Sequence, residues 1–207
     1  MDPGLLVVAV GMVGLVAVLG GVWWFSAEQR ARRLLASRPI QPVGPLRPGE
    51  LARISGRVVL RSDTRSPFSD TPCAAFHLKI ETRQGENSWR TVAEDDHSEP
   101  FDVVDDTGTC HVDPAGSKIF LTFDRKGASG TFDDPSTAEQ AVLERYGVEG
   151  TSMLGLNRTL RYQEATLSAD EEVTLLGRVA IVELDGEPVL TLVPDDEHGL
   201  VLTDRAV

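Results

Sequence analysis

Cys73–Glu81 reads CAAFHLKIE, and its period of two decides the fold. Ala74, Phe76, Leu78 and Ile80 fall on one face and His77, Lys79 and Glu81 on the other, the mark of a half-buried strand. Short runs of the same kind lie on both sides: RISGRVVL, SWRTVAE, PFDVVD, TCHVD, KIFLTFD, TLRYQEATL, VTLLGRVAIVEL, PVLTLV and GLVLT. Turn signals such as SDTRSPFSDTP, DDTG, DPAG and ELDGEP separate them, with VDDTG (Val104 to Gly108) reading as a tight hairpin. About ten strands in some 155 residues predict a mainly β domain, an antiparallel barrel or sandwich. One segment breaks the rhythm. DDPSTAEQAVLERYGVEG has capping candidates Ser136 and Thr137 and a stop at Gly147, which predicts one short helix over about 137–146, closing an open end of the sheet with Ala141, Val142 and Tyr146.

The sequence divides into three parts. Leu5 to Phe25, LLVVAVGMVGLVAVLGGVWWF, carries no charge and at about 1.5 Å per residue spans roughly 30 Å, the thickness of a bilayer core. It is preceded by Met-Asp-Pro-Gly and ends in Trp23, Trp24 and Phe25, so it reads as an uncleaved anchor rather than a signal peptide. Residues 1–25 are therefore expected to hold one transmembrane helix. Arg30, Arg32, Arg33 and Arg38 follow it, which by the positive-inside rule puts the N-terminus outside and the rest of a single-pass protein in the cytoplasm. Ala17 and Gly21 form a small-xxx-small pair, a candidate helix–helix contact for a homo-oligomer. Residues 26–49 are basic and then proline-rich; RPIQPVGPLRPG, Arg38 to Gly49, reads as a stiff extended spacer holding the domain near the membrane. Residues 50–207 form the β-rich domain.

That domain is strongly acidic. The formal charge is -12 overall, but residues 1–49 carry five Arg against Asp2 and Glu28, so Glu50 to Val207 holds 15 basic and 30 acidic residues. This argues against nucleic acid as a partner and against unaided adsorption to anionic lipid. Arg far outnumbers Lys and Asp is abundant, a composition of high-GC and salt-adapted organisms.

Catalytic signals are weak. His77, His97, His111 and His198 sit at no ligand spacing, and Cys73 and Cys110 cannot build a four-cysteine zinc site, so no metal or cofactor is expected. A Cys–His nucleophile is disfavoured, because Cys73 and His77 would be about 13 Å apart along a strand and Cys110 and His111 would point to opposite faces. A bridge between the two cysteines stays open. The acidic pairs, among them Asp95-Asp96, Asp105-Asp106 and Asp195-Asp196, fall mostly in turns that they cap. No Walker A, GxSxG or GxGxxG sequence occurs. No catalytic residue is assigned.

Read in order, LRPGELARISGRVV, SPFSDTPCAAFHLKIE, SWRTVAED, EPFDVVDDTGTCHVDPAG and RYQEATLSADEEVTLLGRV resemble the GIDE, or beside-a-membrane (BAM), domain. The resemblance covers roughly residues 48–182. It rests on Pro48, Gly49 and Gly56, on Ser66, Pro67, Pro72 and Cys73, on Glu81 and Trp89, and on Phe101, Asp106, Gly108, Val112 and Pro114; Tyr162, Glu164, Glu172 and Gly177 complete it. In look the sequence is similar to prokaryotic members, particularly haloarchaeal ones. The domain is best known from a mitochondrial E3 ubiquitin ligase, and the resemblance implies a membrane-adjacent module that recruits a protein partner or senses membrane stress. The family's ligase activity resides in a C-terminal RING with eight Cys or His ligands. After Gly116 the only Cys or His in this sequence is His198, so that activity is not expected. The motif residues are expected to be structural: Trp89 and Phe101 in the core, Gly108 and Gly116 in turns, Cys73 a buried thiol. A self-associating structural component and a Cys–His hydrolase are the competing expectations.

Overall fold

The computed structural model describes residues 29–85, 88–123, 125–129, 137–148 and 159–204. They fall into two compact units, one ending at Pro39 and one beginning at Ile40. The expected membrane segment Leu5 to Phe25, with Ala17 and Gly21, lies outside the described residues. Among those described, no helix is long and apolar enough to cross a membrane. In the first unit residues 29–36 form a helix (α1), after which the Ser37 hydroxyl donates to the Leu34 carbonyl at 2.7 Å.

The second unit is mainly β. Its strands are β1 (Leu51–Leu60), β2 (Ala75–Arg83), β3 (Trp89–Ser98), β4 (Phe101–Asp105), β5 (Gly108–Val112), β6 (Lys118–Phe120), β7 (Arg125–Ser129), β8 (Leu160–Leu167), β9 (Glu172–Leu184), β10 (Glu187–Val193) and β11 (Val201–Thr203). One helix, α2 (Thr137–Arg145), interrupts them where the capping signals placed it. Seven strands form one sheet in the order β1-β4-β5-β10-β9-β11-β6, and four form a second in the order β3-β2-β8-β7. β1 pairs with β4 along Arg57–Leu60 and with β9 along Leu51–Arg57, so the ladder β1–β4–β5–β10–β9 returns to β1. The expectation of an antiparallel arrangement needs correcting at two places, because β5–β10 and β6–β11 are parallel. Both join strands far apart in the chain, which only a long connection allows.

Two apolar clusters follow from this layout. The first lies against the large sheet, with Ala52, Ile54, Val58, Phe101, Val103 and Leu175 fully covered. The second lies on the four-stranded sheet, where Phe76, Leu78 and Ile80 of β2 meet Leu160 of β8 and Leu143 and Val148 around α2. The helix therefore contacts the sheet chiefly through Leu143, while Ala141, one of the expected contacts, is exposed.

β2 is not half-buried as its alternation suggests. It runs between β3 and β8, and its polar face is covered as well: His77 and Glu81 are each 6% exposed. Buried polar side chains demand partners. His77 Nδ1 lies 2.6 Å from Asp96, and Glu81 accepts from Arg161 Nε at 2.5 Å with Lys79 nearby at 3.6 Å.

The proline-rich stretch also departs from expectation. From Ile40 onward it is packed on the β unit instead of standing free. Val43 and Leu46 are buried in the first cluster, and Gln41 N–H donates to the Arg53 carbonyl at 2.7 Å. The Val43 and Gly44 amides donate to Asp105 and Thr107 at 2.9 and 2.8 Å. The β unit thus begins at Ile40, ten residues before the predicted boundary at Glu50.

Candidate functional site

The connection from β1 to β2 carries SPFSDTPC and is built around Ser66, which is 2% exposed. Its N–H donates to the Thr71 carbonyl at 3.0 Å, its carbonyl accepts from Asp70 N–H at 3.1 Å, and its hydroxyl oxygen accepts from Thr71 N–H at 3.2 Å and pairs with the Ser69 hydroxyl. Asp70 sits at φ +50°, which short polar side chains tolerate, and Arg65 Nη1 donates to its carbonyl at 2.6 Å and its carboxylate at 3.2 Å. Cys73 N–H closes the base on the Thr64 carbonyl at 3.0 Å.

Glu164 on β8 clamps this loop from below. It is 1% exposed, and its two oxygens accept the backbone N–H groups of Phe68 and Ser69 at 2.8 and 3.0 Å. Tyr162, two residues earlier and on the same face, stacks on Phe68 with centroids 4.1 Å apart and planes 3° from parallel. Two of the expected motifs, SPFSDTPC and the Tyr162/Glu164 pair, are therefore one structural device despite some 95 residues between them. Beside it, on the other face of the same strands, Arg161 pairs with Glu81 and covers the Trp89 ring at 4.3 Å. Burial pushes the Glu81 carboxyl up, but the Arg161 hydrogen bond, Lys79 and the Arg161 charge outweigh it and hold it below the usual range. Trp89 thus serves a cation–π contact at a strand start and is only half-buried, not a core residue as expected.

Next to the loop an open depression of about 470 Å³ is lined by Leu60, Arg61, Ser62, Asp63, Arg65 and Pro72. Behind Arg61 stands a buried relay: Arg61 Nε donates to Asp102 at 2.6 Å, and the other oxygen of Asp102 lies 2.8 Å from His111 Nδ1. Neither Asp102 nor His111 belonged to the expected set; their alternation out of phase with the core residues of β4 and β5 was the only signal.

The remaining expected residues support the large sheet. Gly49 (φ +92°) donates to the Val179 carbonyl at 2.7 Å and accepts from Arg178 Nη1 at 2.8 Å, directly after the exposed Pro48. Gly56 and Gly177 are sites of close approach, where a Cβ would stand 2.5 Å from the Val104 carbonyl oxygen and 2.8 Å from that of Val193. Phe101 is fully buried, and the Pro114 carbonyl accepts from Ser117 N–H at 2.8 Å ahead of Gly116 (φ +69°). Asp106 is exposed in the β4–β5 turn. The acceptor there is its neighbour Asp105, which takes N–H groups from Val43, Thr107 and Gly108, the last being the motif glycine.

Both cysteines are free and fully buried, so no bridge forms. Burial, with Glu164 and Glu171 adding, pushes the Cys73 thiol up to about 11; burial likewise raises Cys110 to about 11, and its Sγ donates to the His111 carbonyl at 3.3 Å. A thiol held protonated in an apolar setting is a poor nucleophile. Among the described residues, no three His, Cys, Asp or Glu side chains converge as a metal site would require.

A β-rich domain of two sheets, with its loop clamped by a buried carboxylate, is the class this geometry defines. The model of the family described as GIDE, E3 ubiquitin ligase, matches residues 76–206, well over half of the chain, and the chain belongs to that family. The match takes in Glu81, Trp89, Phe101, Tyr162, Glu164 and Gly177 and begins after SPFSDTPC and Gly56, which the expected span included. Searches of curated proteins and of solved structures found no match.

Proposed function

We propose that this protein is a membrane-anchored, non-enzymatic interaction module that holds its GIDE domain beside the cytoplasmic face of a membrane and recruits a protein partner there. The observation that carries this reading is the Ser66–Cys73 loop. Its polar backbone is bonded within the loop and to Glu164, and Phe68 packs inward on Tyr162, so it holds Pro72 in one fixed conformation at the lining of an open depression. Preorganised loops on rigid sheets bind with little ordering cost. The strand ring β1–β4–β5–β10–β9 supports a small closed barrel as the platform. Leu5 to Phe25 supplies the anchor, and the segment that carries α1 links it to the β unit. The family's description names a ubiquitin ligase, yet the two cysteines and four histidines of this sequence are fewer than the eight ligands of a RING.

The test is crosslinking of the tagged chain in its host, solubilisation in mild detergent and identification of what co-purifies, beside a Leu5–Phe25 helix alone and an Asp63→Lys/Pro72→Lys double variant. Both of those side chains line the depression, Asp63 and Pro72 being exposed. The expected result is a partner recovered by the full chain, lost with the helix alone and weakened by the double variant. If the helix alone recovers the same set, or the chain recovers only itself, the protein is instead a self-associating membrane component working through Ala17 and Gly21.

A further inference from the structure

β3 stands at the end of the four-stranded sheet, hydrogen-bonded to β2 on one side. Among the described residues no strand pairs with its outer side. The register passes from Ile80↔Ala93 to Glu81↔Thr91, so Val92 is an extra residue that bulges and twists the edge there. What remains regular is Ala93–Ser98, AEDDHS, long enough to accept a strand of six residues.

The charge of this edge selects its occupant. Glu94 and Asp96 project from one face with side chains 42% and 37% exposed, and Asp95 projects from the other. All three are held. Asp96 lies 2.6 Å from His77 Nδ1, Glu94 lies 3.8 Å from His77 Nε2, and Tyr146 O–H donates to Asp95 at 2.6 Å. Burial, then that hydrogen bond and the Asp95 charge, keep the tyrosine protonated as a donor. Carboxylates fixed in this way lose little freedom when a partner arrives. A second copy is repelled, since antiparallel pairing of two such edges sets carboxylate against carboxylate. Anionic lipid and nucleic acid are repelled for the same reason.

We infer that Ala93–Ser98 is a docking edge for an extended basic segment of a partner protein, added as a fifth strand with Lys or Arg at alternate positions facing Glu94 and Asp96. This deepens the recruitment reading by naming the chemistry of the partner, but the edge is tested separately from the membrane assay.

The full chain in detergent micelles is titrated with a capped Lys-Val-Lys-Val-Lys-Val peptide, and with the same peptide carrying proline for its central valine, while amide hydrogen exchange is followed by mass spectrometry. The expected result is slowed exchange over residues 93–98 with the first peptide, and affinity weaker by about tenfold or more for the proline peptide of equal charge and for Glu94→Lys with either peptide. Equal binding of the two peptides, or protection elsewhere in the chain, would overturn the inference by reducing it to unspecific charge attraction. If co-purification fails and the edge still binds, the docking inference stands and the recruitment reading falls; the reverse pattern separates them the other way.

Discussion

One buried carboxylate decides whether the SPFSDTPC loop has a fixed shape. Glu164 takes two backbone N–H groups, of Phe68 and Ser69, in a place where only 1% of its surface reaches water. Charge-assisted bonds of this kind contribute about 1.5–3 kcal/mol each, and their loss strands two amide donors. Glu164→Ala is therefore expected to lower unfolding stability by about 2–4 kcal/mol. Glu164→Gln, which keeps one acceptor oxygen and sets an NH2 against the other amide, should fall between. Urea denaturation measures both, and exchange at the Phe68 and Ser69 amides reports the loop itself. An alanine variant as stable as the parent would mean that Ser66 alone holds the loop. Serine, proline and glutamate were legible as recurring pieces of a motif, but their meeting was not: a contact across 95 residues leaves no periodic trace in a sequence. The sequence likewise left open which member of the Asp105-Asp106 pair caps the turn, since the two are the same side chain to a reader of VDDTG and only geometry separates them.

Between β10 and β11 a second carboxylate organises a whole turn. Asp195 is 5% exposed, accepts N–H groups from Glu197 and His198 at 3.1 Å each, and pairs with Arg178 Nη2; its own carbonyl takes the amide of Gly199, at φ +70°. Burial pushes this carboxyl up, but Arg178 and the two amides together outweigh burial and hold it below the usual carboxylate range. The sign follows from that direction. With a folded value under the unfolded value of about 3.9, the stability contribution is fully present above that pH and is lost as pH falls through the folded value. Thermal midpoints measured from pH 7 to pH 2.5 should drop less steeply for Asp195→Asn, which starts lower and has this linkage removed. Parallel curves would show that other carboxylates carry the acid response. At this scale most of the strands, the β4–β5 and β9–β10 hairpins and the α2 boundaries could be read from alternation and turn residues. β2 could not be read fully, because its outer face is polar and yet covered, and cover supplied by Asp96, Arg161 and Phe123 is invisible to a two-period pattern.

The strand ring joins the two ends of the β unit, and this sets how short the chain can be made. β1 is bonded to β9 along Leu51–Arg57 and to β4 along Arg57–Leu60, so removing it opens two edges at once. The segment ahead of β1 adds to the same body: Val43 and Leu46 are buried in its core and the Val43 and Gly44 amides end on Asp105 and Thr107. Burial of two such side chains is worth about 1.5–3 kcal/mol each and the hydrogen bonds about 1 kcal/mol each. A chain starting at Glu50 should then be about 5–8 kcal/mol less stable than one starting at Ile40, a large part of the 5–15 kcal/mol that a domain of this kind has in all. Starting at Phe76, where the family match begins, removes β1 entirely and should leave no cooperative fold. Thermal melting followed by near-UV circular dichroism, with gel filtration for aggregation, ranks the three. A Glu50 start that melts within 2 °C of the Ile40 start would mean that residues 40–49 rest on the domain without stabilising it, and the proline-rich stretch would regain its role as a spacer.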